Sequence, residues 1–209
     1  MARPRFSKLP ETEQRRILET AATEFAVNGF DGTSLNRLIE GLGISKGSFY
    51  YYFDDKADLF ITVVEHTWRT MIPDDEFDLS SLDGDTYWAV IEEVMREAHL
   101  QVREKPWLVG MGRLFYSPPD VQGIRARLEE ILNEARQLQS ELIRRGQAIG
   151  VVRDDLPIGL LQALLVGADE AADQWFGLNW DRLGSPEIER LFTEVFAIFR
   201  RMLEPPPQC

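Results

Sequence analysis

An all-α fold is what this sequence predicts, on three observations. Apolar residues recur at helical spacing in segment after segment, and nowhere is there a period-2 run of useful length. Breaks fall where helices would have to stop: Gly29, Gly43, Pro73, the Pro118-Pro119 pair and Pro186. With 44% hydrophobic residues in 209, the chain can bury a sizeable core in one or two domains.

The first helix is expected from Glu11 to Asn28, with Ile17, Leu18, Ala21, Ala22 and Phe25 on one face and Gly29 at the left-handed cap position. Two short helices follow. Thr33 or Ser34 can cap the first of them, and Leu35, Leu38, Ile39 and Leu42 form its inward face. Gly43 stands where the chain must turn sharply, which favours a residue that tolerates positive φ. Ser45 then caps a second short helix anchored by Phe49 and Phe53, which leaves Lys46, Gly47, Ser48, Tyr50 and Tyr52 to face outward. A lysine, a glycine, hydroxyls and tyrosines on two turns suit a surface pressed against DNA better than a buried one. Gly47 costs helix stability relative to alanine, and close approach of the backbone to a groove wall is a reason to keep it.

Asp55 caps the next helix, which runs to Met71 with Leu59, Phe60, Val63, Val64, Thr67 and Met71 as its stripe. Pro73 to Asp85 reads as an acidic, turn-rich break whose carboxylates lack the spacing of a calcium loop. Five helical segments follow: Thr86 to Lys105, Pro106 to Tyr116, Asp120 to Ile149, Leu156 to about Trp180, and Pro186 to Leu203, the last opened by Ser185 as cap. Apolar residues cover well over half the circumference of the last helix and a broad arc of the one before it, which suggests a second subunit as packing partner and a four-helix dimer bundle.

The residues Ile17-Leu-Glu-Thr-Ala-Ala22, Phe25, Gly29-Phe30, Thr33, Gly43-Ile-Ser-Lys-Gly-Ser-Phe-Tyr-Tyr-Tyr-Phe53, Lys56 and Leu59-Phe60 carry a family resemblance. Together they resemble the N-terminal domain of TetR-type (tetracycline-repressor-like) transcriptional regulators. Arg144 to Asp155 is similar to the end of the long helix in that family's C-terminal domain. One departure is Asp54-Asp55, where many members carry a lysine or arginine just past the aromatic run.

The resemblance implies a helix-turn-helix DNA-binding domain over residues 1–56 and an effector-binding and dimerisation domain over 57–209, with the linking helix beginning at Asp55. It implies a homodimeric repressor on a palindromic double-stranded DNA operator, released by a small, mostly apolar effector. Lys46 and Gly47 would read base edges, while Thr33, Ser34, Ser45, Ser48, Tyr50, Tyr51, Tyr52 and Lys56 hold the backbone, since phosphate contacts position and base contacts specify. A DNA-binding architectural or division-linked protein of the same fold, without an effector, is the alternative.

Charge is consistent with a DNA-binding head once it is divided. Residues 1–53 hold seven Lys/Arg against six Asp/Glu, and the remainder holds sixteen against twenty-nine, within a whole-chain net charge of −12. DNA attraction must therefore come from a local patch, with the acidic body orienting the approach.

For the effector, the body offers Trp88, Met95, Trp107, Met111, Phe115 and Trp175, with His99 as a polar handle and Trp68 bordering the inner stripe of the linking helix. The glycines of Gly110-Met-Gly112 would leave room for a ligand. Asp169 and Asp173 read as solvated or at a subunit edge, and His66 as exposed. Two histidines, one tail cysteine (Cys209), no phosphate loop and no metal motif argue against an enzyme, a cofactor or a metal site. A cytoplasmic protein with no membrane span is expected from the single cysteine and from the absence of a signal-peptide core or a long apolar run.

Overall fold

A computed structural model describes residues 3–72, 78–116 and 118–206. Among them the chain is helical, with no strand: α1 Glu11–Gly32, α2 Leu35–Gly41, α3 Lys46–Tyr52, α4 Lys56–Met71, α5 Tyr87–Glu104, α6 Trp107–Tyr116, α7 Gln122–Ala148, α8 Ile158–Asn179 and α9 Ser185–Leu203. The all-α expectation holds, and most helix ends fall within a few residues of the sequence reading. Residues 73–77 of the expected acidic break, and Cys209, lie outside the described residues.

The chain forms two compact units, Met1–Ile72 with Gln101–Ile131 and Pro73–Leu100 with Leu132–Cys209. This partition does not coincide with the functional division expected at residue 56. The first unit is built on α1, which packs along α4 and α6. Ile17, Ala21, Ala22 and Phe25 of α1 are fully buried with Leu38, Phe49, Phe53, Leu59, Phe60 and Val63. Met111 of α6 and Ile124, Leu128 and Ile131 of α7 close the same core. Three phenylalanines lock its centre: Phe60 sits edge-on to Phe25 and Phe30, at 4.9 and 5.2 Å between ring centroids, an arrangement that adds about 0.5–1.5 kcal/mol per pair beyond burial.

Two expectations are corrected within this unit. Gly110 leaves no room for a ligand, because it is where α6 touches α1: a Cβ there would lie 2.5 Å from the Ala26 Cβ and 2.9 Å from Ala26 backbone atoms. His66 is not exposed; it is partly buried, stacked near Trp107 with centroids 6.2 Å apart. Burial holds its pKa below the ordinary histidine value, with Glu19 working in the opposite direction.

The second unit packs Tyr87 and Trp88 of α5 against Ile143 of α7, Val152, Leu161 and Leu165 of α8, and Phe196 and Leu203 of α9. Long-range hydrogen bonds brace it. The Tyr87 hydroxyl donates to the Leu142 carbonyl at 2.9 Å, and the Arg145 guanidinium donates to the carbonyls of Ser80 and Leu82. Gly150, with φ +77°, ends α7, and the N–H groups of Val151 and Val152 return to the Gly146 carbonyl as in a glycine C-cap. At the start of α9 the cap position belongs to Gly184, with Ser185 already helical and Pro186 in the first turn.

Asp169 and Asp173 are both exposed, in line with the solvated reading of the pair; desolvation, with Asp173 one turn on adding like charge, pushes the Asp169 pKa up to about 7. On the outer side of α8 and α9, Leu160, Leu164, Val166, Trp175, Leu178 and Ile198 are all exposed.

The Gly110 contact yields a test. Gly110→Ala gains helix propensity but forces two helices apart, and should cost about 1–3 kcal/mol net. Urea unfolding of the full chain checks this; an unchanged or raised midpoint would mean that α6 shifts freely along α1.

Candidate nucleic-acid interface

The candidate recognition element is α3, seven residues long, and it is shaped from both ends. Gly43 adopts φ +65° in the turn before it, as expected for glycine there. Ser45 caps it: its Oγ accepts from the Ser48 N–H at 2.9 Å and lies 2.9 Å from the Ser48 Oγ. Phe49 and Phe53, both fully buried, pin the helix from beneath. At roughly 100° per residue, Tyr50 and Tyr51 then flank the ridge of Gly47, with Lys46 one turn before Tyr50. All four are exposed.

The turn is held from the far side by Arg16 of α1, whose guanidinium donates to the Leu42 carbonyl at 2.9 Å and pairs with Glu13. Ser34 occupies the cap position of α2 and is exposed, although its side chain makes no capping bond. Asp55 caps α4 through the Asp58 N–H at 2.8 Å, and the Asp58 carboxylate accepts from the Asp54 N–H at 2.9 Å.

Three residues expected on the DNA surface are used inside the protein. Thr33 is buried, and its hydroxyl donates to the Gly29 carbonyl at 2.6 Å. This shields the kink where Gly29 (φ +67°) breaks α1 before its last turn. Lys56 donates its ammonium to the carbonyls of Phe30 and Thr33, at 2.7 and 3.0 Å, and rests 4.3 Å over the Phe30 ring. A cation beside carbonyls that a helix end leaves unpaired is favourable, so its charge is committed there. Tyr52 turns inward, edge-on to Phe6 at 6.0 Å, and packs against the core.

Sequence reasoning missed the residues that hold the other end of α3. The backbone N–H of Arg3 donates to the Tyr52 carbonyl at 2.8 Å, and its guanidinium donates to the Tyr50 carbonyl at 2.7 Å and to Asp54. Asp54, the departure from the family pattern, is thus neutralised by Arg3. Phe6 is buried against Phe53, and the Arg5 guanidinium lies 4.4 Å over the Tyr51 ring. A three-residue helical turn, Phe6–Lys8, has no periodicity to reveal it in a sequence.

Residues 17–63 match the family model described as bacterial regulatory proteins, tetR family. This segment is a TetR-type N-terminal domain. The chain is 26% identical over 155 residues to the HTH-type transcriptional repressor AcnR of Corynebacterium diphtheriae, covering 73% of this chain and 74% of that one. Its fold is similar to that of FadR from Bacillus subtilis solved with stearoyl-CoA, with TM-score 0.74 at 17% identity over 88% of this chain and 96% of that one. It is likewise similar to the fatty acid degradation regulator FadR of Bacillus halodurans, with TM-score 0.76 at 14% identity over 92% and 97% of the two chains. TetR-type regulators are DNA-binding proteins and not enzymes. No helix among the described residues is long and apolar enough to cross a membrane.

The residues expected to hold an effector are divided between the two units. Met111 is fully buried in the core of the first, with Trp68, Trp107 and Phe115 packed against the same core. In the second, Trp88 is buried edge-on to Tyr87 with Arg200 5.4 Å over its ring, and Met95 packs on the same cluster. His99 is buried 3.9 Å from the Phe192 ring, itself stacked on Phe176 at 4.5 Å. Trp175 corrects the cavity reading directly: it is 47% exposed, on the outside of α8.

Proposed function

We propose that this TetR-type protein is a transcriptional repressor that binds a roughly palindromic operator as a homodimer and is released by a small, mostly apolar molecule. The observation that carries the reading is the exposed ridge of Lys46, Gly47, Tyr50 and Tyr51 on a short helix fixed by a serine cap and two buried phenylalanines. Lys46 and Gly47 read base edges in the major groove. Ser34, Ser45, Ser48, Tyr50 and Tyr51 contact the backbone, and Thr33, Tyr52 and Lys56 hold the scaffold behind them.

Gly47 supplies a clean test. A Cβ there would meet only the Ser45 Oγ at 3.7 Å, an ordinary contact, so Gly47→Ala fits the protein and should not lower its stability. On a duplex selected by the wild-type protein from a random library, Gly47→Ala should bind several-fold more weakly, and Lys46→Ala by about 1–3 kcal/mol if it reads a base. Wild-type affinity in both variants would remove α3 from the interface.

Dimerisation follows from the apolar outer face of α8 and α9. Phe196 on α9 is buried in the second unit's own core, so its replacement would unfold rather than dissociate. Leu178 and Ile198, 78% and 52% exposed, are the suitable positions. Leu178→Glu with Ile198→Glu should halve the mass seen by light scattering while leaving the helical circular dichroism intact. A wild type that is already monomeric at micromolar concentration would contradict the reading.

The effector site is expected around the His99, Phe192 and Phe176 rings, which join an imidazole to apolar surface in the way small-molecule sites do. Release requires a ligand that prefers the state with poor operator affinity, and linkage makes the effect reciprocal. Stearoyl-CoA, bound by the Bacillus subtilis FadR of similar fold, is a suitable first probe. If it is an effector here, it should bind the operator-bound protein more weakly than the free protein, by the same factor by which it weakens operator binding. Equal affinity for both states would exclude it as an inducer.

A further inference from the structure

We propose that the N-terminal segment Arg3–Lys8 is a second DNA-contacting element, in which Arg5, stacked on Tyr51, places its guanidinium against a backbone phosphate beside the recognition helix. The inference rests on the reading of α3 as the DNA-facing helix.

The segment is built onto α3. Arg3 ties it there through its own N–H to the Tyr52 carbonyl and through its guanidinium to the Tyr50 carbonyl and Asp54. Phe6, 3% exposed, wedges against Tyr52 and Phe53. Gln14 of α1 closes the far side by donating to the Leu9 carbonyl at 2.8 Å. A segment fixed at both ends has little conformational freedom left to lose on binding.

What it presents is positive charge. Arg3, Arg5 and Lys8 are three of the seven cations in residues 1–53. Arg3 is consumed by Asp54, but Arg5 and Lys8 are exposed and have no carboxylate partner among the described residues. Arg5 lies over the face of Tyr51, which flanks the Gly47 ridge on the side away from Lys46. A guanidinium held over an aromatic ring carries five N–H donors, and its fork matches two phosphate oxygens. The protein's interior has already claimed Lys56, so this segment brings back a cation at the C-terminal end of the recognition helix.

Salt dependence of binding by the full-length protein decides the matter, on a duplex selected from a random library and on an unrelated duplex of equal length. Each phosphate neutralised contributes about 0.9 to the slope of log K against log salt. Arg5→Gln should lower the slope by about 0.9 per monomer bound, and weaken both duplexes by a similar factor without moving the thermal midpoint. Arg5→Lys should retain the slope. If Arg5→Gln keeps the wild-type slope while Lys46→Ala loses the selected duplex, the segment makes no contact and the reading of α3 stands. If neither variant differs from wild type, the reading of α3 fails and the segment's role fails with it.

Discussion

A helix of seven residues has no stability of its own in water, because nucleation costs more than two turns of hydrogen bonds return. The recognition helix is that short, so every feature around it is there to hold it. Ser45 ends it at one side and the Arg3 clamp at the other. Phe49 and Phe53 anchor it below, and Arg16 fixes the turn that feeds it. The buried core of α1, α4 and α6 gives these groups something rigid to be attached to.

This explains why several polar groups that look suited to DNA are spent on the scaffold. A threonine hydroxyl and a lysine ammonium placed beside the kinked end of α1 satisfy carbonyls that would otherwise be buried or weakly solvated, and leaving such groups unpaired costs about 1–3 kcal/mol each. The surface left for the proposed DNA contact is small, and its precision depends on this support.

The fold was largely legible in the sequence because helices announce themselves by period, and this chain keeps its period in nearly every segment. The turn at Gly43 and the caps at Ser45 and Asp55 were legible for the same local reason: each depends on residues no more than a few positions away. What was hidden depends on distant partners. Lys56 meets Phe30 and Thr33 across more than twenty residues, Gly110 meets Ala26 across more than eighty, and Arg3 meets Asp54 across about fifty. The effector residues were the least legible. Aromatic side chains in a helical protein serve core packing and ligand binding equally well, and here half of those chosen lie in the core of the unit that carries α3, with the others in the second unit and Trp175 on its surface.

The path of the chain through its two units has a practical consequence. The first unit is made of two stretches, Met1–Ile72 and Gln101–Ile131, so the polypeptide crosses between units three times. Met111, Ile124, Leu128 and Ile131 enter the core beneath α3 from the second stretch. A fragment cut after α4 would therefore be an open hydrophobic face in search of cover, prone to aggregate rather than to act as a portable module. A chimera that grafts this specificity onto another body must carry α6 and the first turns of α7 along with the recognition helix.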